Sequence, residues 1–162
     1  MRIVHLPVFW TILIDVLVWL GIHIGLSYLV VQLPADNFDE RRWLYRKRKW
    51  ELGGKIYEEL FLVKKWKGLL PEGAALFEKG FKKRKLKDRN RDYFDRFIKE
   101  TCRAEYVHWL TILCAPIFFM WNLVTVGVIM IAYAVIVNLP CILAQRYNRI
   151  RLNRIVKGMS IP

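Results

Sequence analysis

Tyr106 to Ala144, reading YVHWLTILCAPIFFMWNLVTVGVIMIAYAVIVNLPCILA, contains no Lys, Arg, Asp or Glu, and His108 is its only side chain that titrates near neutrality. A run this long exceeds one membrane crossing and suffices for two, since roughly 20 helical residues at about 1.5 Å each span a hydrocarbon core of about 30 Å. Pro116 and the Met120-Trp121-Asn122 cluster interrupt it near its middle. The pattern predicts a hairpin of two transmembrane helices, Glu105 to Trp121 and Leu123 to Ala144, with its apex near Asn122.

Outward from the hairpin, a second apolar block runs from Leu6 to Leu33, with Asp15 and His23 as its only ionisable side chains. It is long enough for a further span. A cleaved signal peptide fits less well, because the block is too long, only Arg2 precedes it, and Val30 to Pro34 lacks a small-residue cleavage pattern. The expected fold is an all-α integral membrane protein of one domain, residues 1–162. Three transmembrane helices are predicted: a first span over 6–33 and the hairpin over 105–144. A basic cytoplasmic and interfacial segment over 36–104 and a basic tail over 145–162 complete it.

The formal net charge is +13, and Asp36 to Arg103 holds 21 of the 27 Lys and Arg, with five more from Gln145 onward. Positive-inside bias assigns both regions to the cytoplasm. Such basicity also occurs in nucleic-acid binders, but beside membrane spans anionic headgroups are the nearer partners, at about 1 kcal/mol per juxtamembrane cation; no nucleic acid is expected. Cys102, Cys114 and Cys141 are odd in number and lack CxxC spacing, which points to reduced thiols.

Within the basic segment, Arg41 to Trp50 interleaves cations with aromatics, the chemistry of a headgroup-level stretch. Leu52, Ile56, Leu60, Val63, Trp66 and Leu70 then recur at helical spacing, with Lys55, Glu58, Glu59, Lys65 and Lys67 off that stripe, predicting one interfacial amphipathic helix. A helix packed on a soluble subdomain is the alternative. Gly68, Pro71 and Gly73 mark a turn, Lys79 to Arg91 is a solvated or phosphate-facing cationic run, and Asn90 is placed to cap a helix. Along that helix Phe94, Phe97 or Ile98, Thr101, Glu105 and His108 share one face.

Glu105 and His108 stand i,i+3 where the basic segment becomes apolar, the equipment of a general base whose imidazole is charged and oriented by a carboxylate. The structural alternative has His108 bonding locally while Glu105 balances an arginine. Asn138 falls at the same level of a straight hairpin, where its amide would orient the pair or polarise a carbonyl. Beyond it Arg146 and Arg149 put guanidinium groups at the membrane exit, suited to phosphate or to a positive-inside stop signal. Asp15 calls for either an inter-helix hydrogen bond or a substrate contact. One Glu-x-x-His is too little for a di-iron centre, which needs two and further carboxylates, so no metal is expected.

Glu-Thr-x-Arg-Ala-Glu-x-x-His-Trp at Glu100 to Trp109, Asn-x-Pro at Asn138 to Pro140 and Gln-Arg-Tyr-Asn-Arg-x-Arg-Leu at Gln145 to Leu152 together resemble the glycosyl-4,4′-diaponeurosporenoate acyltransferase family. Lys64-Lys65-Trp66-Lys67 with Gly73, and Pro34 to Phe38, add weaker likeness. The resemblance implies a bacterial plasma-membrane enzyme that moves a fatty acyl group onto a sugar hydroxyl of a glycosylated lipid near the cytoplasmic face. No cofactor is then bound; an acyl-coenzyme A or acyl-carrier-protein thioester is the co-substrate, and membrane lipids, the acyl donor and a lipid-linked sugar are the partners. Catalysis would rest on His108 as base, Glu105 as its partner and Asn138 at the oxyanion. Arg103, Lys65, Trp66, Lys67, Gln145, Arg146, Tyr147, Asn148 and Arg149 would contact substrate. Three spans make a thin scaffold for two amphiphiles, which leaves room for a homo-oligomer. The reading from another class is a non-catalytic scaffold whose basic loop binds anionic lipid or a partner enzyme.

Overall fold

The computed structural model describes residues 7–70 and 90–159, and all regular structure among them is helical. The turn at Pro71 and Gly73 and most of the cationic run from Lys79 lie outside the described residues. Helix α1 spans Val8–Gln32 and ends before Pro34, whose ring disfavours helical backbone at the preceding residue. Two short pieces follow the loop that begins there, α2 at Lys55–Glu59 and α3 at Val63–Trp66. Helix α4 covers Arg91–Cys114, a 3-10 stretch Ala115–Met120, and helix α5 Val124–Met159.

The hairpin turns at Trp121 and Asn122, as its sequence predicts, but its arms have other limits. Helix α4 begins at Arg91, with the Asn90 side chain accepting from the Tyr93 amide at 2.8 Å, so this arm of the hairpin extends back into the basic segment. Pro116 tightens the last turn of that arm into the 3-10 stretch, where the missing amide costs no α-helical bond. Helix α5 runs through Pro140 and on to Met159, so the expected tail is the distal half of one long helix. At the turn, a Cβ on Gly127 would lie 2.5 Å from the Phe119 ring; glycine lets α5 start directly against the 3-10 stretch.

Helices α4 and α5 form the main pair and α1 packs beside α4. Near the turn Trp19 of α1 stacks on Phe118 at 4.7 Å, closing a cluster with Ala115 and Ala134. Asp15 accepts from Trp121 Nε1 and Asn122 Nδ2, both at 2.8 Å, so of its two expected uses the inter-helix hydrogen bond is the one present. At the other end Phe94, Phe97, Ile98 and Leu152 join α4 to α5. Val30, Phe38, Tyr45 and Cys102 join α1, the loop and α4.

Helices α1 and α5 are long and apolar enough to cross a membrane, and 22% of the most apolar window in each is buried within the protein. The core helix of a soluble protein would be mostly covered; here Leu17, Leu20, Ile129 and Ile136 stand exposed, as side chains facing lipid do.

The predicted continuous amphipathic helix is broken. Leu52, Gly53 and Gly54 all adopt positive φ, and Leu62 does so again, so the segment folds as the 3-10 turn Lys49–Gly54, α2, α3 and the 3-10 turn Lys67–Leu69. Gly54 permits the reversal and brings the backbone against Ile150 of α5. The stripe is accordingly split: Val63 is fully buried, Ile56, Trp66 and Leu70 pack on the Tyr57 and Tyr147 cluster, and Leu52 and Leu60 are exposed.

Candidate functional site

The hairpin brings His108 of α4 to Asn138 of α5, with Nδ1 and Oδ1 2.8 Å apart. Asn138 Nδ2 donates to the Ala134 carbonyl at 2.8 Å, one turn back on its own helix. That bond fixes which end of the amide faces His108: the oxygen, which only accepts. Nδ1 therefore carries the proton and donates, and in the neutral ring the lone pair lies on Nε2. His108 is half-buried, whereas Asn138 is 1% exposed.

Glu105 lies one turn before His108 and is fully buried. Its Oε1 accepts from Arg146 Nε at 2.9 Å and from Trp109 Nε1 at 3.3 Å, and its Oε2 accepts from Arg149 at 2.5 Å. These bonds match the reading in which the carboxylate balances arginine. Arg146 spreads across three elements: besides Glu105 it donates to Glu51 Oε1 at 2.9 Å and to the Leu44 carbonyl at 2.8 Å. Glu51, 1% exposed, also accepts from the Tyr57 hydroxyl at 2.6 Å and from the Arg48 amide. Arg149 completes the cluster beside Cys102 Sγ and over the Tyr45 ring. Two carboxylates face two guanidinium groups, so burial leaves no uncompensated charge.

Two of the expected phosphate ligands lie in this cluster. Arg146 donates to two carboxylates and a carbonyl in the interior and Arg149 to Glu105 and the Cys102 sulfur, and together they join α4, α5 and the loop. Arg103 is likewise inward, donating to Glu100 at 2.7 Å and to the Leu33 carbonyl at 2.8 Å with its guanidinium carbon 5.1 Å from the centre of the Phe38 ring, while among the described residues its Nε has no hydrogen-bond partner. An open groove of about 590 Å³ borders it, lined also by Gln32, Asp92, Asp95, Arg96 and Lys99.

Of the remaining expected residues, Lys67, Trp66, Tyr147 and Asn148 gather on another face of α5, whereas Gln145 stands about two turns beyond Asn138 on the same face. Lys67 donates to Asn148 at 2.7 Å and lies over the Tyr147 ring; Tyr147 donates to Glu58 at 3.0 Å. Trp66 donates to the Phe61 carbonyl, Lys65 is exposed, and Gln145 is half-buried. Burial, then the nearby Arg151 and Lys64, push the Lys67 ammonium below the usual lysine range. Glu51 and Tyr57 were missed from the sequence. A lone acid inside the Arg41 to Lys55 cationic stretch was the available signal for Glu51; nothing local marks Tyr57.

The Cys102 thiol is fully buried, and burial pushes it up to about 11, so it does not serve as a nucleophile at neutral pH.

Comparison with known proteins agrees with the motifs that flank this site. The model of the glycosyl-4,4′-diaponeurosporenoate acyltransferase family matches residues 41–158. Proteins named glycosyl-4,4′-diaponeurosporenoate acyltransferase from Staphylococcus aureus strains N315, MRSA252 and USA300 are each 34% identical over 139 residues, covering 86% of this chain and 84% of theirs. No solved structure matches the chain. With His108, Asn138 and the Gln145 to Leu152 motif inside the matched region, the chain belongs to the glycosyl-4,4′-diaponeurosporenoate acyltransferase family and is an acyltransferase.

Proposed function

We propose that this acyltransferase moves a fatty acyl group from an acyl thioester to a sugar hydroxyl of a glycosylated lipid at the cytoplasmic face of the bacterial plasma membrane, with His108 as general base. The observation that carries the proposal is the His108 to Asn138 hydrogen bond, made at the level where the apolar hairpin meets the cationic ends of α4 and α5. The acceptor class rests on the names of the relatives, and the thioester on the need for an activated acyl group.

Three spans fit the fold: α1, the arm from Glu105 through the 3-10 stretch, and α5 up to about Ala144. The cationic loop and the distal half of α5 then lie on one side, which positive-inside bias makes the cytoplasm. Both reactants bring alkyl chains from the bilayer and polar ends from its surface, so the reaction belongs at that boundary.

In the reaction, Nε2 of His108 takes the proton of the acceptor hydroxyl as its oxygen attacks the thioester carbonyl. The tetrahedral intermediate collapses by breaking the carbon–sulfur bond, and the imidazolium returns its proton to the departing thiolate, leaving an ester and a thiol. General-base help of this kind contributes about 10²- to 10⁴-fold. Asn138 is a positioning residue here: its oxygen holds the Nδ1–H tautomer and stabilises the imidazolium, and its burial and its bond to Ala134 speak against an oxyanion role. Glu105 acts through Arg146 and Arg149, fixing α4 against α5 one turn below the base.

The test is transfer of radiolabel from a long-chain acyl thioester into membrane lipid by wild type and His108→Ala at matched expression. Label entering a glycolipid band and falling at least about 100-fold in the variant supports the proposal. Equal transfer by His108→Ala overturns the base, and label entering only phospholipid overturns the acceptor.

A further inference from the structure

Three cations outside the Glu105 cluster, Lys64, Lys67 and Arg151, converge elsewhere. Lys67 Nζ lies 4.9 Å and the Arg151 guanidinium 5.7 Å from the centre of the same Tyr147 ring. Lys64 joins them through Glu58, which accepts from Lys64 Nζ at 2.7 Å and from the Tyr147 hydroxyl at 3.0 Å. Among the described residues Lys67 has an amide oxygen, not a carboxylate, as its hydrogen-bond acceptor. Lys64 and Arg151 thus share the Glu58 carboxylate, and burial, then crowding by Arg151 and Lys64, disfavours the charge on Lys67. An arriving anion relieves that crowding.

The surroundings identify the kind of anion. Leu60, Phe61, Leu62 and Leu69 flank α3 and are all exposed, Leu69 to 84%. Exposed leucines beside clustered lysines suit a membrane interface, where apolar side chains enter the acyl region and ammonium groups meet phosphates. Tyr147 is nine residues beyond Asn138; at 3.6 residues per turn this is two and a half turns, so the cations lie on the face of α5 opposite the His108 contact. The cluster is therefore separate from the reacting atoms.

We infer that Lys67, Arg151 and Lys64, arranged around Tyr147, form a phosphate-ester site that holds the headgroup of an anionic phospholipid, with Leu60 to Leu69 inserted beside it. The inference rests on the membrane reading above but not on the acyl-transfer chemistry. It gives the broken helical segment a purpose: the turns at Gly53, Gly54 and Leu62 fold the segment back so that Val63 and Tyr57 pack on α5 while Lys67 reaches Tyr147.

The experiment is native mass spectrometry of the full chain in detergent, titrated with phosphatidylglycerol or phosphatidylcholine, with coenzyme A titrated separately. Wild type should retain phosphatidylglycerol preferentially. Lys67→Gln with Arg151→Gln should lower that affinity about tenfold, leave phosphatidylcholine unchanged, and weaken the salt dependence. Lys67→Arg, which keeps the charge, should retain binding, and Arg41→Gln, an exposed cation paired with Asp39, should match wild type. Unchanged phosphatidylglycerol affinity in the double variant overturns the site. Loss of coenzyme A binding with phosphatidylglycerol unaffected overturns the lipid assignment and makes the site one for the donor's phosphates. Wild type recovered in the soluble fraction without detergent would instead sink the membrane reading, an outcome the headgroup titration cannot mimic.

Discussion

Asn138 presents its carbonyl oxygen to His108 Nδ1 at 2.8 Å from the opposite arm of the hairpin, and its own amide is held by Ala134. The arrangement selects one tautomer of the imidazole and makes α5 the template for the base proposed on α4.

Replacing Asn138 by Leu keeps the bulk and removes the acceptor. The imidazole is then free to rotate and to take the other tautomer, and kcat should fall about 100-fold, the scale of a misplaced catalytic group. Steady-state transfer kinetics check this, with KM for the donor little changed; a matching loss of thermal stability with normal kcat would assign Asn138 to packing alone.

Glu105→Gln leaves Arg146 and Arg149 buried with one carboxylate fewer between them. Breaking a buried pair by removing one partner costs about 3 to 5 kcal/mol, so the variant should unfold at clearly lower temperature in detergent. Arg146→Met should do the same and also release the loop at Glu51 and Leu44, read as faster protease cleavage within residues 40–60.

Asp15→Leu deletes the acceptor of Trp121 Nε1 and Asn122 Nδ2. A hydrogen bond contributes about 0.5 to 1.5 kcal/mol net and both are lost, so α1 should dock more weakly on the hairpin turn and the melting temperature should drop. Turnover per folded molecule should stay within about twofold of wild type, because Asp15 contacts the turn and sits at the end of the hairpin remote from His108. A large fall in kcat without destabilisation would give Asp15 the substrate role instead.

Cys102→Ala should retain activity, since direct transfer needs no acyl-cysteine. Burial raises this thiol to about 11, so its thiolate is scarce at pH 7 and gains population only as pH rises toward that value. Maleimide should leave Cys102 unlabelled in the folded protein at neutral pH and label it after denaturation; rapid labelling of native protein, read by peptide mapping, would contradict this.

The hairpin, its apex and the Asn90 cap were legible in the sequence because each depends on local chemistry: a charge-free run, a proline and polar cluster, an amide before a helix. Asn138 could be set against His108 because two helices joined by a short turn have few registers. The basic segment was not legible in the same way. Its apolar stripe has helical period, but positive φ at Leu52, Gly53, Gly54 and Leu62 breaks the path, and what compensates those turns is packing on Tyr147 and Ile150, nearly 100 residues away.

By itself the sequence determined an all-helical chain with lipid-length apolar helices, a strongly cationic segment between them, and the family to which it belongs. Composition and short-range periodicity carry that information, since desolvation of apolar runs and the hydrogen-bonding needs of the backbone act residue by residue. Only the tertiary structure decided how the other polar residues were shared out: Glu105 to two arginines, Asp15 to the turn, and Lys67 with Arg151 to Tyr147. Each buried charge takes whichever partner the packed helices bring within about 3 Å, and that choice is made by helix register and crossing, which no local stretch of residues encodes.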